Sequence, residues 1–247
     1  MNSAPSISST GPTALIVLPT FNEVENIAAL IQGLRSATES SPAFEILVVD
    51  DGSPDGTADA VREVQRTDPG VHLLDRGRKL GLGTAYRAGF DQAAERGHEF
   101  VFTMDADFSH SPDHVPEMWR LAPEADVVIG SRYVPGGGIS NWPWHRKVLS
   151  STANLLARTI LWMRAHDCTS GFRCYRLSTL QRIDLDRIQS TGYSYLTEVL
   201  YRCQRAGARI RESPIHFVDR LRGKSKISKR EIWKAMWTLV RLRFSRR

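Results

Sequence analysis

Between residues 14 and 129, apolar runs and polar breaks alternate with a regular beat. Largely apolar stretches occupy residues 14–18, 45–49, 71–74, 99–103 and 125–129. Runs of this kind predict strands buried on both faces. Between them the pattern predicts helices over residues 23–37, 57–65 and 81–96. Asn22 is the expected N-cap of the first, and Gly81-Leu82-Gly83 gives the third a glycine-rich entrance. Strands alternating with helices predict right-handed βαβ units, an α/β class and a mainly parallel central sheet.

The second half is less regular. A Trp-Pro-Trp cluster at residues 142–144 opens a partly amphipathic helix that runs to residue 163. Residues 193–206 predict another helix, and residues 209–218 contain a strand. Over residues 229–244, Trp233, Met236, Trp237, Val240 and Phe244 recur at helical spacing.

Ligands of parallel α/β sheets bind beyond the carboxyl ends of the strands. Two acidic motifs follow predicted strands directly, Asp50-Asp51 after the second and Asp105-Ala106-Asp107 after the fourth. They are therefore expected to face one crevice. Carboxylates as close as Asp105 and Asp107 need a counter-charge, and a hard divalent cation is the usual one. Held by few carboxylates, it keeps positions open for water and substrate phosphates. The pair Asp50 and Asp51 has two readings: acceptors for a base N–H or ribose hydroxyl, or an Asx-turn that bonds local backbone. The 81–85 segment is not a full G-x-G-x-x-G fingerprint and reads as a plain helix entrance in preference to a phosphate cradle, and no Walker sequence is present. Arg132 ends the fifth strand on the ligand side. Arg146, the segment Thr169-Ser170-Gly171-Phe172-Arg173, and Arg220 with Ser225 and Lys226 add further cationic groups, suited to phosphate. His110 and His114 flank the acidic pair and read as supporting or surface residues rather than metal ligands.

Composition narrows the partners. At 41% hydrophobic and 24% charged, the 247 residues look like an ordinary globular protein. Residues 1–12, rich in Ser, Thr and Pro, predict a disordered tail without the features of a signal peptide. No apolar run reaches the roughly 18 to 20 residues that span a bilayer. Cys168, Cys174 and Cys203 show no zinc-type spacing and read as reduced, buried thiols of a cytosolic protein. The net charge of +6 is uneven: from Arg220 onward eleven Lys or Arg face the single acid Glu231, whereas residues 1–219 carry 22 basic and 26 acidic groups. Such an end meets anions. Tryptophans among basic residues on an amphipathic helix suit a membrane interface, and the 142–163 segment is expected to do the same. No reader motif supports nucleic-acid binding, so no such partner is expected.

Seven motifs in order carry a resemblance: Pro-Thr-Phe-Asn-Glu (19–23), Val-Val-Asp-Asp-Gly-Ser-Pro-Asp-Gly-Thr (48–57), Leu-Gly-Leu-Gly-Thr-Ala-Tyr (80–86), Met-Asp-Ala-Asp-Phe-Ser-His (104–110), Gly-Ser-Arg-Tyr (130–133), Thr-Ser-Gly-Phe-Arg (169–173) and Phe-Val-Asp-Arg-x-x-Gly-x-Ser-Lys (217–226). Together they resemble the polyprenyl- or dolichyl-phosphate mannose synthases, within the inverting glycosyltransferases of family 2 and the GT-A fold. The resemblance implies a single Rossmann-like GT-A domain over residues 13–228 followed by a basic amphipathic helix over 229–247. It implies a metal-dependent enzyme that transfers mannose from GDP-mannose to a polyprenyl phosphate lipid, with inversion. Pro19, Phe21, Glu23, Val49 and Asp51 would line the guanosine pocket, with Asp50 close by and Asp105, Ala106 and Asp107 at the diphosphate. Asp105, Asp107 and Ser109 would hold Mg2+ or Mn2+. Asp105, Asp107 and Arg132 would carry catalysis. Arg132, Arg146, Arg220, Ser225 and Lys226 would bind donor and acceptor phosphates. Phe21 stands where many relatives have Tyr, which keeps stacking and loses a hydroxyl. Asp167 sits where a base acts in hydroxyl-glycosylating relatives, and a positioning role is expected instead. The expected location is the cytoplasmic face of a membrane, peripherally bound, with an integral-membrane anchoring partner left open. Two alternatives remain: a polyprenyl-phosphate glucosyltransferase using UDP-glucose, and a non-catalytic membrane-docking module of the same fold.

Overall fold

The structure, a computed structural model, describes residues 13–40, 44–192, 194–219 and 229–244, the side chains of 229–235 excepted. The expected tail at residues 1–12 and the expected phosphate-binding residues Arg220, Ser225 and Lys226 lie outside the described residues. The elements follow in order: β1 (Ala14–Thr20), α1 (Val24–Ala37), β2 (Phe44–Asp50), α2 (Thr57–Gln65), β3 (Val71–Asp75), α3 (Leu82–Glu95), β4 (Phe100–Thr103), α4 (Val115–Leu121), β5 (Val127–Ser131), β6 (Gly138–Ser140), α5 (Trp144–Leu161), β7 (Arg173–Arg176), α6 (Leu177–Arg182), α7 (Ser194–Arg205), β8 (Ile210–Pro214), β9 (His216–Val218) and α8 (Lys229–Phe244).

Seven strands form one sheet in the order β3-β2-β1-β4-β7-β5-β8. All neighbours run parallel except β7, which is antiparallel to both β4 and β5. Strands β6 and β9 pair separately, in parallel. The continuous apolar strands are explained by burial on both faces. Ile16, Leu18, Ile46 and Val48 pack with Ile27, Leu30 and Leu34 of α1 on one side. Leu15, Val17, Leu47 and Val49 pack with Ala85, Tyr86 and Phe90 of α3, and with residues of α7 and α8, on the other. In register, Thr20 lies opposite Asp50, and Asp50 opposite Asp75, so the first three strands end level.

Three expectations are corrected. Asn22 is not the N-cap of α1. It has φ 62°, and Glu23 takes the cap position without a side-chain cap bond. The loop before α2 does the capping instead: Ser53 Oγ, Thr57 Oγ1 and Asp55 Oδ2 accept from the N–H groups of Asn22, Glu23 and Val24. The fifth strand begins and ends two residues later than expected, because its pairing with β8 runs from Val127 opposite Ile210 to Ser131 opposite Pro214. Arg173, expected to add a cationic group at the end of the 169–173 segment, instead opens β7 (Arg173–Arg176) in the middle of the sheet. Arg173 is fully buried there and donates to the carbonyls of Cys168 (2.7 Å) and Leu196 and to the Tyr175 hydroxyl (3.0 Å).

Helix α3 lies so close to β1 that a Cβ on Gly89 would come within 2.4 Å of Val17 Cγ1. Gly89→Ala is therefore expected to lower stability by about 1–3 kcal/mol through overpacking, read as a lower denaturant midpoint at unchanged m-value.

Candidate active site

The carboxyl ends of β1, β2 and β3 hold the first group of side chains. Asp50 is wholly buried and its carboxylate is spent on the turn: it accepts from Thr20 Oγ1 (2.8 Å), Ser53 Oγ (2.6 Å) and the Ser53 N–H (2.7 Å). This is the Asx-turn of the two readings. Asp51, also buried, pairs with Arg76 and accepts from the N–H groups of Leu80 (3.2 Å) and Gly81 (2.8 Å). Pro19 and Val49 sit opposite each other in register on the adjacent strands. The Phe21 ring has the Lys79 ammonium 3.7 Å from its centroid. Glu23 accepts from the Asn26 side chain (2.8 Å).

The second group follows β4. Thr103 Oγ1 bonds the Gly171 carbonyl (2.7 Å), which fixes where the strand ends. Asp105 accepts from the Tyr86 hydroxyl (3.3 Å) and donates its N–H to His110 Nδ1 (3.3 Å). Asp107 accepts from the Ser109 N–H (3.1 Å) across a turn in which Phe108 takes φ 60°. His110 is buried between Phe172 and Phe217 (ring centroids 5.2 and 5.4 Å). Burial holds its imidazole below the usual histidine range in spite of Asp105 and Asp107 nearby. A neutral ring accepting at Nδ1 carries its proton at Nε2. Ser109 Oγ is buried and has no hydrogen-bond partner. Among the described residues no three His, Cys, Asp or Glu side chains converge as a closed metal cage. Two carboxylates with a neighbouring orphan hydroxyl fit an open cation site, completed by water and phosphate.

The third group is built on Arg132, just past β5. Its guanidinium meets Asp167 in a two-point pair, Nε to Oδ2 and Nη2 to Oδ1, both 2.7 Å, while its own N–H reaches Oδ2 at 3.1 Å. Both residues are buried, and Thr169 Oγ1 takes a further bond from Nη2 (2.8 Å). Burial alone would raise the Asp167 carboxyl. The Arg132 charge and hydrogen bonds outweigh it and hold the group below its ordinary value of 3.8. Glu212 fixes the loop from below by accepting the N–H groups of His166 (2.8 Å) and Asp167 (3.0 Å). Arg146 pairs with Asp219 (2.8 Å) and lies over the Trp142 ring at 4.1 Å.

A cavity of about 380 Å³ joins the second and third groups. Asp105, Ser109, His110, Arg132 and Arg146 form one end. Leu149, Ala153 and Leu156 of α5 with Met236 and Leu239 of α8 form an apolar wall leading away from them. The site thus brings Asp105, Ser109, Arg132 and Arg146 to one cavity, while Asp51 and Phe21 stand at the neighbouring strand ends. Arg76 was missed from the sequence, and Tyr86 and Thr169 were noted only as members of motifs, without a role of their own. Arg76 had a signal, since it follows a strand end as Arg132 does.

The Glycosyl transferase family 2 model matches residues 15–184. The chain belongs to that family. It is 46% identical over 214 residues to an undecaprenyl-phosphate mannosyltransferase of Micrococcus luteus, covering 87% of each chain. It is 44% identical over 228 residues to a polyprenol monophosphomannose synthase of Mycolicibacterium smegmatis, covering 92% of this chain and 85% of that one. Among solved structures it resembles mannosyl-3-phosphoglycerate synthase from Rubrobacter xylanophilus (TM-score 0.66, 17% identity, 95% of this chain and 73% of that one). It also resembles a Pyrobaculum calidifontis mannosyltransferase solved with GDP-Man and Mn2+ (TM-score 0.58, 19% identity, 87% and 58%). These two likenesses establish a shared glycosyltransferase fold.

Asp167→Asn would leave a buried guanidinium without its counter-charge. The expected loss is about 3–5 kcal/mol at neutral pH, measured by denaturant unfolding. Because the native carboxyl titrates below its ordinary 3.8, its stabilisation is complete above that pH and is lost as pH falls through the lower native value. The gap between wild type and variant is therefore expected to narrow below about pH 4.

Proposed function

We propose that this protein transfers mannose from GDP-mannose to a polyprenyl phosphate with inversion, using Mg2+ or Mn2+. The observation that carries the acceptor class is the cavity: the Asp105 carboxylate with Arg132 and Arg146 at one end, an apolar slot between two helices at the other. A phosphate on an isoprenoid chain matches that division. The mannosyl donor is supported by the names of the two relatives that align over most of the chain.

The chemistry follows from the side chains. Asp105, Asp107 and the Ser109 hydroxyl would hold a divalent cation, which when bound neutralises charge building on the donor's β-phosphate. Arg132, held rigidly by Asp167, offers a fixed positive charge at the cavity without having to reorganise. Asp167 has both oxygens committed to Arg132, Thr169 and local N–H groups, so it positions that arginine and takes no proton. None is required: a phosphate monoester, with a second pKa near ~6, is already ionised at neutral pH. Orienting that oxygen in line with the anomeric carbon is then the main task of the site.

No described helix is long and apolar enough to cross a membrane. Yet Trp144, Val148, Leu155 and Trp162 of the α5 region and Trp237 and Phe244 of α8 are strongly exposed, the last at 78%. The two helices pack together, and the Arg243 guanidinium lies 4.5 Å from the Trp162 ring centre. The reading extends to peripheral binding at the cytoplasmic face of a membrane through this surface.

Radiolabelled GDP-mannose with polyprenyl phosphate is expected to give organic-soluble label with a β-anomeric linkage. Chelator should stop transfer, Mg2+ or Mn2+ should restore it, and Asp105→Asn should lower kcat by about 100-fold or more. Transfer from UDP-glucose in place of GDP-mannose would overturn the mannose reading. For the membrane surface, the double variant Trp162→Ser, Trp237→Ser should weaken flotation with anionic vesicles by about 10-fold or more, taking roughly 1.5–3 kcal/mol per large side chain withdrawn from water. Turnover of a short, detergent-dispersed acceptor phosphate should stay unchanged.

A further inference from the structure

Helix α8 carries one wall of the cavity and packs against both α5 and α7. Counted at the ~100° step of an α-helix, its side chains divide into arcs. Trp237, Val240 and Phe244 fall within about 60° of one another and are all exposed. Met236 and Leu239 bound that arc on one side and line the cavity. Arg241 bounds it on the other. Thr238 and Leu242, between the two edges, are buried. The apolar contacts of Leu239 and Leu242 with the core hold the helix down, but contacts of that kind are non-directional. They do not by themselves choose which side chains face the cavity.

The direction comes from a carboxylate. Glu198 of α7 is wholly buried. Its Oε2 accepts from the Ser190 N–H (3.2 Å) and hydroxyl and from Arg241 Nη2. Its Oε1 accepts from Nε (3.1 Å) and Nη2 (2.8 Å) of Arg202, one turn on in α7. Arg241 also donates to Gln189 Oε1 (2.6 Å) through Nη1 and to Ser190 Oγ (2.9 Å) through Nη2. A planar guanidinium with two partners besides its counter-ion has little freedom to swing. The cluster thus ties α8 to α7 and to Gln189 and Ser190, at the edge of the helix away from Met236 and Leu239. It also accounts for a basic residue of the C-terminal charge excess: Arg241 turns inward to an acid 43 residues earlier in the chain.

We propose that Arg241 and Glu198 are positioning residues for the lipid acceptor: their pair sets the rotation of α8 about its own axis, so that Met236 and Leu239 stay in the slot while Trp237 and Phe244 stay on the outer face. The inference rests on the acceptor reading given under Proposed function and adds what shapes the slot. Turning the helix by a single residue step, ~100°, would in one sense bring Trp237 to the place of Met236 and close the slot with an indole. In the other sense it would carry Met236 and Leu239 outward and open the slot to water. Loss of the pair therefore acts on the isoprenoid chain. The donor and the cation are held by side chains at the strand ends and are not affected. Glu198 keeps Arg202 as a counter-charge when Arg241 is replaced, so its carboxylate is not stranded in the core.

Initial rates in detergent, where membrane docking plays no part, test this on the full chain with GDP-mannose, Mn2+ and a long-chain polyprenyl phosphate. Arg241→Gln is expected to raise the acceptor KM about 10-fold, the scale of one apolar side chain lost from the slot, with kcat and the KM for GDP-mannose unchanged. Arg241→Lys, which keeps a charge facing Glu198, should recover most of that loss. Arg202→Met removes the other guanidinium on Glu198 without touching α8 and should change neither KM. Leu239→Ala should raise the acceptor KM through the wall itself, and joined to Arg241→Gln it should give less than the product of the two effects. Hydrogen exchange in Arg241→Gln should quicken over residues 236–244 and stay unchanged in β1 to β5. The inference is overturned if Arg241→Gln leaves the acceptor KM intact or disturbs kcat or the donor KM as much. It is equally overturned if Arg202→Met reproduces the effect, if the effects with Leu239→Ala multiply, or if exchange quickens across the sheet. A wild type that transfers nothing to polyprenyl phosphate would overturn the acceptor reading itself, and the role of the pair with it.

Discussion

The buried pair of Arg132 and Asp167 is the interaction on which the site depends. Removing two charges from water costs several kcal/mol per ion, and their attraction offsets that only in good geometry with the remaining hydrogen-bonding positions satisfied. Here both conditions hold: two parallel 2.7 Å bonds, a backbone N–H on the same carboxylate, and Thr169 on the guanidinium. Such pairs contribute little net stability compared with an apolar replacement. What this one provides is a positive charge fixed in place at the polar end of the cavity. Glu212 extends the same logic one layer deeper by holding the backbone that carries Asp167.

The sheet sets the spacing of the charges around it. Asp105 and Asp107 follow β4, and Arg132 follows β5, but β7 is inserted between those strands. Neighbouring strands lie about 4.8 Å apart, so the two strand ends are separated by roughly 9–10 Å. Adjacent strands would have pressed the guanidinium onto the carboxylates and neutralised both. One strand of separation leaves room for a diphosphate and a sugar between opposite charges. The antiparallel strand is thus a spacer as well as a sheet member, and its buried Arg173, tied to backbone carbonyls, keeps it in the middle of the sheet.

What the sequence made legible follows from which interactions are local. Strands β1 to β5 stood out because burial on both faces removes the polar half of the usual alternation. The residues that follow them, Asp51, Asp105 and Arg132, could be placed at one end of the sheet from topology alone, although only Asp105 and Arg132 line the cavity. Strand β7 was hidden because Arg-Cys-Tyr-Arg carries two charges, and nothing local shows that Arg173 finds its partners 5 and 23 residues away. The difference between Asp50 and Asp51 was equally hidden. Asp50 turns inward to Thr20 and Ser53, whereas Asp51 meets a loop 25 to 30 residues on. Asn22 failed as a cap for the same reason, since its helix is capped from 31 residues away. Tyr86 and His110 touch Asp105 only because α3 and the 108–110 turn pack against β4.

Helix α5 connects the two environments that the proposed acceptor must occupy. Leu149, Ala153 and Leu156 line the cavity, while Val148 and Leu155, one residue earlier in two of these turns, face outward. A single helix therefore presents adjacent stripes to the catalytic charges and to the exterior. The arrangement answers an energetic difficulty of lipid substrates. Each isoprene unit exposed to water costs about 4 kcal/mol, at ~0.8 kcal/mol per buried carbon. A soluble site that drew the whole chain out of a bilayer would spend more than any binding contact returns. If the exposed face of α5 and α8 rests in the interface, the slot between them opens at the depth where the chain already lies. Only the phosphate and the first units of the lipid then leave the hydrocarbon, and they move directly from one apolar environment into another.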